Sequence, residues 1–467
     1  MKYEQEIRAW FADREEELVS DISRLVSVRS VREESQPGMP FGPGPAAALA
    51  EALKLAEEMG LRTQNHDNYV GTADLNDKET VMHILGHLDV VGEGTGWDTD
   101  PYTVTRKGEM IYGRGTDDDK GPVVASLLAM KAVKELDIPL KYNVRMIMGT
   151  DEESGSEDIA YYYSKNPYAP FAFSPDGNFP VVNIEKGSYK PVFRRGWAEE
   201  TALPRVVKAQ GGFRINVVPP EASATVVGME VPEIVPYLTA AMDRFGVDIT
   251  LAEGPEGLTL EVAGTGAHAS TPEEGNNALT ALLALLAGLP LADCESTRAI
   301  RDLNRLFPHG DVNGTALGVD QEDELSGRLT LAFSLFSLDE KGCSGQYDSR
   351  VPICADEENC KGAADRALSG CGFTVEGEMH APHHTPADLP FVQELLRCYE
   401  HYTGLKGECL SMGGGTYVHD IPNGVAFGCG MPDFNSNLHG ANEHACVKDL
   451  MTSAMIFAQC IVEICGE

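Results

Sequence analysis

The chain is poor in positive charge. Its 467 residues include 37 Lys and Arg against 72 Asp and Glu, a formal net charge of −35. Such a surface repels nucleic-acid phosphates and anionic headgroups, which argues against nucleic-acid and membrane partners. Long apolar runs are also missing. The most apolar stretch, 278–292, is interrupted by Thr280, Gly288 and Pro290 and reads as a buried helix, too short for a membrane span. The opening MKYEQEIRAWFADREEE is charged and amphipathic and has no signal-peptide core, so a cytoplasmic address is expected. No cysteine precedes Cys294, the eleven present are an odd number, and none forms a C-x-x-C pair. A disulfide framework is not expected, and the thiols are read as reduced.

Enough apolar material is there to fold. Hydrophobic residues make up 42% and charged residues 23% of the chain, which places it among globular proteins, and its length points to at least two domains. Helical spacing runs through 4–28 (Ile7, Trp10, Phe11, Leu18, Ile22, Leu25), and 43–59 is a second helix closed by Gly60. Residues 69–75, 81–85, 143–148 and 169–174 read as strands, and 121–136 as a helix. This alternation predicts an α/β domain with helices on both faces of a sheet. Near Gly187 the pattern changes to clearer strand alternation, as in 328–338, with helices at 233–245 and 276–289. Long amphipathic helices return at 386–402 and 442–465. The predicted architecture is a discontinuous domain, 1–187 and 385–467, with a mixed, mostly parallel sheet covered by helices. An α+β domain, 188–384, is inserted into it.

Acid and histidine gather beside glycine in a few short stretches. His87-Leu88-Asp89 follows a strand directly, and the carboxyl end of a strand is where α/β proteins place ligands. Alone it also fits a loop histidine with an acid near it. Gly113-Arg114-Gly115-Thr116-Asp117-Asp118-Asp119-Lys120-Gly121 puts three acids before a helix. Capping accounts for one; three in a row repel unless a cation sits among them. Gly149-Thr150-Asp151-Glu152-Glu153-Ser154-Gly155 follows another strand and fits either a solvated acidic turn or a pair in which one glutamate binds metal and the other moves protons. Ser174-Pro175-Asp176-Gly177 is turn chemistry. Asn437-Leu438-His439-Gly440-Ala441-Asn442-Glu443-His444 is a helix-entry loop with a candidate ligand.

Taken in order, these segments resemble the M20 family of metallopeptidases, and within it the bacterial PepV dipeptidases. Phe179 to Gly187 (Phe-Pro-x-x-x-x-Glu-Lys-Gly) and Gly413-Gly414-Gly415-Thr416-Tyr417 extend the resemblance, which covers essentially the whole chain. Two departures, Gly92 and Ala269, are small residues outside the ligand set. The resemblance implies two divalent cations, zinc or else manganese or cobalt. Asp118 would bridge them, Glu153 and His439 would hold one, and His87 and Asp176 the other. Asp89 would hold the second ring nitrogen of His87, and Glu152 would be the general base. His83, His383, His384, His419 and His444 are left outside the metal shell.

In the insert, Ala267-His268-Ala269-Ser270 resembles the family segment whose histidine donates to the oxyanion. Asn216, in Asn-Val-Val-Pro, would bind substrate. Arg350, in Asp-Ser-Arg-Val-Pro, would clamp a free carboxylate with Gly414 and Gly415 beside it. The expected activity is hydrolysis of dipeptides, with a small peptide as the only partner. The insert is long enough to supply His268 from its own chain, so a monomer is expected. An N-acyl or N-succinyl amino acid amidohydrolase is the alternative on the same metals, and a non-catalytic metal-binding relative a more distant one.

Overall fold

The computed structural model describes all 467 residues, which form two compact units. One comprises Met1–Ile184, His384–Leu410 and Gly415–Glu467; the other comprises Glu185–His383 and the short segment Ser411–Gly414. Residues 411–414 thus belong with the insert, although they lie within the stretch assigned from sequence to the discontinuous domain.

The first unit is a mixed α/β layer structure. Its strands run in the order Arg62–His66, Val70–Asp74, Asn143–Gly149, Thr80–His87, Phe171–Ser174, Gly424–Ala426, Val181–Glu185. The four strands from Asn143–Gly149 to Gly424–Ala426 are parallel, and their neighbours on either side are antiparallel. Alternate side chains feed opposite faces, as strand geometry requires. Ile84, Met146 and Phe173 join the larger core with Val123, Leu127 and Phe457 of the helices Lys120–Glu135 and Val447–Cys465. Leu85, Ile147 and Ala172 pack instead with Tyr162 and Val418. A sheet buried on both faces explains why its strands read as continuous apolar runs. No helix is long and apolar enough to cross a membrane.

The single helix expected over 4–28 is two, Glu4–Phe11 and Glu15–Val26. The apolar spacing carries straight on from Phe11 to Leu18. At the break stands Arg14, whose Nε donates to the carbonyl of Trp10 while its guanidinium stacks on the Trp10 ring at 3.8 Å. Its Nη1 pairs with Glu17 at 2.6 Å. The last helix begins at Val447, because His444–Cys446 is a strand paired with Met110–Tyr112.

The second unit is an antiparallel sheet with helices on one face. Its strand order is Asp248–Gly254, Gly257–Ala263, Glu221–Val227, Arg205–Gly211, Thr330–Asp339, Gly342–Val351, Gly187–Tyr189, Met379–His380. Ala224, Val226 and Leu260 pack against Leu282, Leu286, Ile300 and Leu303 of the helices Ala278–Gly288 and Glu295–Leu306. Asn277 caps the first of these helices, accepting from the amides of Leu279 and Thr280.

Candidate metal centre

Three parallel strands of the first unit deliver acids or histidine at their carboxyl ends. His87 is the last residue of Thr80–His87, Glu152 and Glu153 follow Asn143–Gly149, and Asp176 follows Phe171–Ser174. Asp118 precedes the helix that starts at Lys120, and His439 comes from the loop ahead of the last helix. The fold brings all six together.

Asp118 sits between the two imidazoles. One oxygen lies 2.9 Å from His87 Nε2 and the other 2.9 Å from His439 Nε2. Asp176 is 3.6 Å from His87 Nε2, and Glu153 is 3.4 Å from His439 Nε2. His87, Glu152 and Asp176, and likewise His87, Asp118 and Glu153, offer ligand atoms all within 4.8 Å of one another. His87 is fully buried, whereas His439 stays 46% exposed, so the cluster opens to solvent on the His439 side.

His87 Nδ1 donates to the main-chain carbonyl of Asp89 at 3.0 Å, so Nε2 is the nitrogen that faces the acids and the one that would ligate once its proton is lost. The Asp89 carboxylate is farther from that ring, at 3.5 Å. Its two oxygens accept instead from the amides of Glu152 and Glu153, at 3.2 and 3.1 Å. Asp89 thus aims the glutamate loop as well as supporting the histidine. Asp158, absent from the sequence expectations, secures the same loop from below. It accepts from the amides of Thr150 and Asp151 and from the Tyr417 hydroxyl. Gly149 must be glycine here, because a Cβ would collide with that hydroxyl and carboxylate.

The electrostatics are those of a site short of positive charge. Burial, reinforced by neighbouring carboxylates, pushes Glu152 and Asp176 up and Glu153 to about 7. Asp118 goes the other way. Burial opposes its ionisation, but hydrogen bonds from His439 and His87 hold it well below the carboxylate range. The same contacts, with Asp118 first and Glu153 second, lift His439 to about 10. Glu153 Oε1 is buried without a hydrogen-bond partner. Four carboxylates facing two imidazoles, with one buried oxygen orphaned, fit divalent cations that accept nitrogen and oxygen ligands. Lys120 does not supply the missing charge; it is fully buried and donates to the carbonyl of Val28 at 2.8 Å.

The residues singled out in the insert gather within the second unit. His268 Nδ1 accepts from the Ser270 amide at 3.2 Å and lies 2.6 Å from the Ser270 hydroxyl, which places the proton of the neutral ring on Nε2. The carbonyl of Asn216 accepts from the amide of Ala269, so the Asn216 and His268 segments are joined. Arg350 departs from the expected clamp. Its Nε and Nη2 are already taken by the two oxygens of buried Asp348, at 2.8 and 3.0 Å, and its Nη1 donates to the Gly413 carbonyl. Gly413 runs against Ser270, where a Cβ would come within 3.0 Å of the serine Cβ. Gly414 belongs to this segment, and Gly415 to the first unit. A cavity of the second unit, about 1120 Å³, is lined by Arg194, Arg205, Lys208 and Lys341 and by none of the candidate site residues.

Sequence and structure comparisons place the chain among known proteins. Residues 83–463 match the model of the peptidase family M20/M25/M40. The chain is 35% identical over 463 residues to YtjP, a putative dipeptidase of Bacillus subtilis (strain 168), covering 97% of this chain and 98% of that one. It is 31% identical over 458 residues to a Beta-Ala-Xaa dipeptidase of Lactobacillus delbrueckii subsp. lactis, covering 96% of each. Among solved structures, human carnosine dipeptidase 1 shares the fold with a TM-score of 0.59 at 16% identity, over 99% of both chains. The metallo-carboxypeptidase Sso-CP2 of Sulfolobus solfataricus does so at 0.58 and 17% identity, over 95% of this chain and 98% of that one. The chain is a hydrolase that belongs to the M20/M25/M40 peptidase family.

Proposed function

We propose that the protein is a dipeptidase working with two divalent cations, zinc by preference. The observation that carries this reading is Asp118, whose two oxygens each face a different imidazole, His87 or His439, with a further acid beside each ring. In the assignment, Asp118 is shared, Glu153 and His439 complete one ion's ligands, and His87 and Asp176 the other's. Cations bound there supply Lewis acidity, making a water a competent nucleophile near neutral pH and drawing charge from the scissile carbonyl.

The chain's own groups do the rest. Glu152 accepts a proton from the attacking water and returns it to the leaving amine. Its carboxyl is raised by burial, and its main chain is gripped by Asp89. His268 offers Nε2–H to the oxygen that gains charge. Arg350, with Nε and Nη2 held by Asp348, meets the substrate's free carboxylate through what remains of its Nη edge. Asn216 and the glycines Gly414 and Gly415 line the same substrate end. Two curated relatives with dipeptidase in their names, at 35% and 31% identity, support this substrate class over acylated amino acids. A monomer and a cytoplasmic setting remain part of the reading.

The test is a panel of free dipeptides, with β-Ala-His among them, beside N-acetyl and N-succinyl amino acids. The protein is used as purified, after chelation, and after zinc or manganese is restored. Metal-restored cleavage of the free dipeptides alone is expected. Cleavage confined to the acylated compounds would replace the dipeptidase by an amidohydrolase. Glu152→Gln should lower kcat by ~10²–10⁴-fold with both ions retained; near-normal turnover would remove the general-base assignment.

A further inference from the structure

Arg114 and Glu443 are among the most deeply buried charged residues of the first unit, and neither is a candidate ligand. Arg114 Nη1 donates to Glu443 Oε2 at 2.6 Å across a sequence separation of 329 residues. The second arm of the guanidinium, Nη2, spreads over three main-chain carbonyls, of Gly92 at 3.3 Å, His439 at 3.3 Å and Gly440 at 3.1 Å. Trp97 covers it, its ring centre 5.3 Å from Cζ. Glu443 uses its other oxygen, Oε1, to accept from the amides of Gly115, Asp117 and Asp118 at 3.0, 3.0 and 3.2 Å. Its own carbonyl accepts from the Gly113 amide.

One end of this ion pair therefore holds the loop carrying Asp118, and the other holds the loop carrying His439. Neither loop has regular structure of its own at these residues; the strand pairing of His444–Cys446 with Met110–Tyr112 brings the two segments together, and the pair carries that link on to Asp118 and His439. Burying two opposite charges costs desolvation that apolar side chains of similar volume would avoid. An apolar pair, however, has no donors for the carbonyls of His439 and Gly440 and no acceptor for the amide of Asp118. The charged pair ties the side of each loop that carries Asp118 and His439 to one point.

We propose that Arg114 and Glu443 are positioning residues that fix the spacing between Asp118 and His439 and so set the affinity of the cation those two residues share. This rests on the metal reading above and goes beyond it. The site containing His439 depends on both ends of the pair, whereas the site built on His87 and Asp176 depends only on the end that holds the shared Asp118.

The experiment is a Zn²⁺ titration of the chelated full-length protein against a chromophoric competitor, for the unmutated chain, Glu443→Gln and Arg114→Lys. Glu443→Gln keeps an acceptor oxygen but loses the charge opposite Arg114. Arg114→Lys keeps that charge and loses the reach to the His439 and Gly440 carbonyls, so it tests the idea even where the first variant folds poorly. One of the two Zn²⁺ affinities is expected to fall ~10–100-fold in both variants, with the other changed much less. Excess Zn²⁺ should restore kcat without changing KM. Unchanged affinities with lowered thermal stability would reduce the pair to a structural role and overturn the proposal, as would equal losses at both sites. If the unmutated chain bound no Zn²⁺, the metal reading would fall and this inference with it.

Discussion

The acid cluster of the first unit and the His268–Arg350 loops of the second are built on opposite electrical terms. In the cluster, four carboxylates meet two imidazoles, Glu153 Oε1 makes no hydrogen bond although His439 Nε2 stands 3.4 Å away, and burial holds three of the four acids above their ordinary range. In the second unit the Arg350 guanidinium is already answered. Asp348 takes two nitrogens of Arg350, Gly413 takes the third, and Lys190 stands 3.5 Å from Asp348. The first arrangement is complete only with cations; the second is complete in itself. The difference separates a site that gains its shape from what it binds from one whose donors are set in advance.

Removing metal should show the contrast at its largest. Chelation is expected to abolish hydrolysis and to speed amide exchange at Asp117, Asp118, Glu152 and Glu153, leaving the amides of Val218 and Ala269 unchanged; equal loosening in both units would break the comparison. The chelated protein should also lose thermal stability as pH rises. The Glu153 carboxyl is raised from 4.5 to about 7, so its contribution is full below 4.5 and is lost as pH climbs through 7. Zn²⁺ should flatten that slope in a melting series. Next in size is Asp348→Asn, which leaves Arg350 and Lys190 facing a neutral amide. A loss of ~3–5 kcal/mol, of the order seen for a broken buried pair, is expected in the second unit. It should be equal with and without metal, and accompanied by a raised KM for free dipeptides. Ser270→Ala is the smallest. It removes the hydroxyl beside His268 Nδ1 but keeps the amide donor, so a fall of a few-fold in kcat, about 0.5–1.5 kcal/mol, is expected at unchanged metal content.

His87, Glu152, Glu153 and Asp176 stand where readable strands end, which marks them out, but each stretch alone also fits a plain loop or turn. The assignment of ligands comes from the ordered resemblance of His87, Asp118, Glu153, Asp176 and His439 to the M20 family. What holds those residues was not legible. Asp158 and Glu443 act through main-chain amides, and an acid accepting from amides leaves no spacing in the sequence to distinguish it from any other acid. Arg114 and Tyr417 lay inside quoted motifs, yet their partners, Glu443 and Asp158, are distant in the chain. Asp89 was noticed for the histidine beside it, and its carboxylate proves to serve Glu152 and Glu153. The fold followed the same rule. The apolar spacing of the first helices was read correctly, but the Arg14 side chain at the break between them bonds to a carbonyl, which periodicity does not register.

The flanking of Asp118 by two imidazoles bears on how the protein takes up its ions. Without them, His439 titrates near 10, so at neutral pH its ring is a cation standing beside the same carboxylate that an incoming ion would use. The ring acts as a placeholder that keeps the loops in register, and it must give up its proton to become a ligand. Loading is therefore an exchange of metal for protons. It should acidify a weakly buffered solution, and apparent affinity should rise with pH across the neutral range.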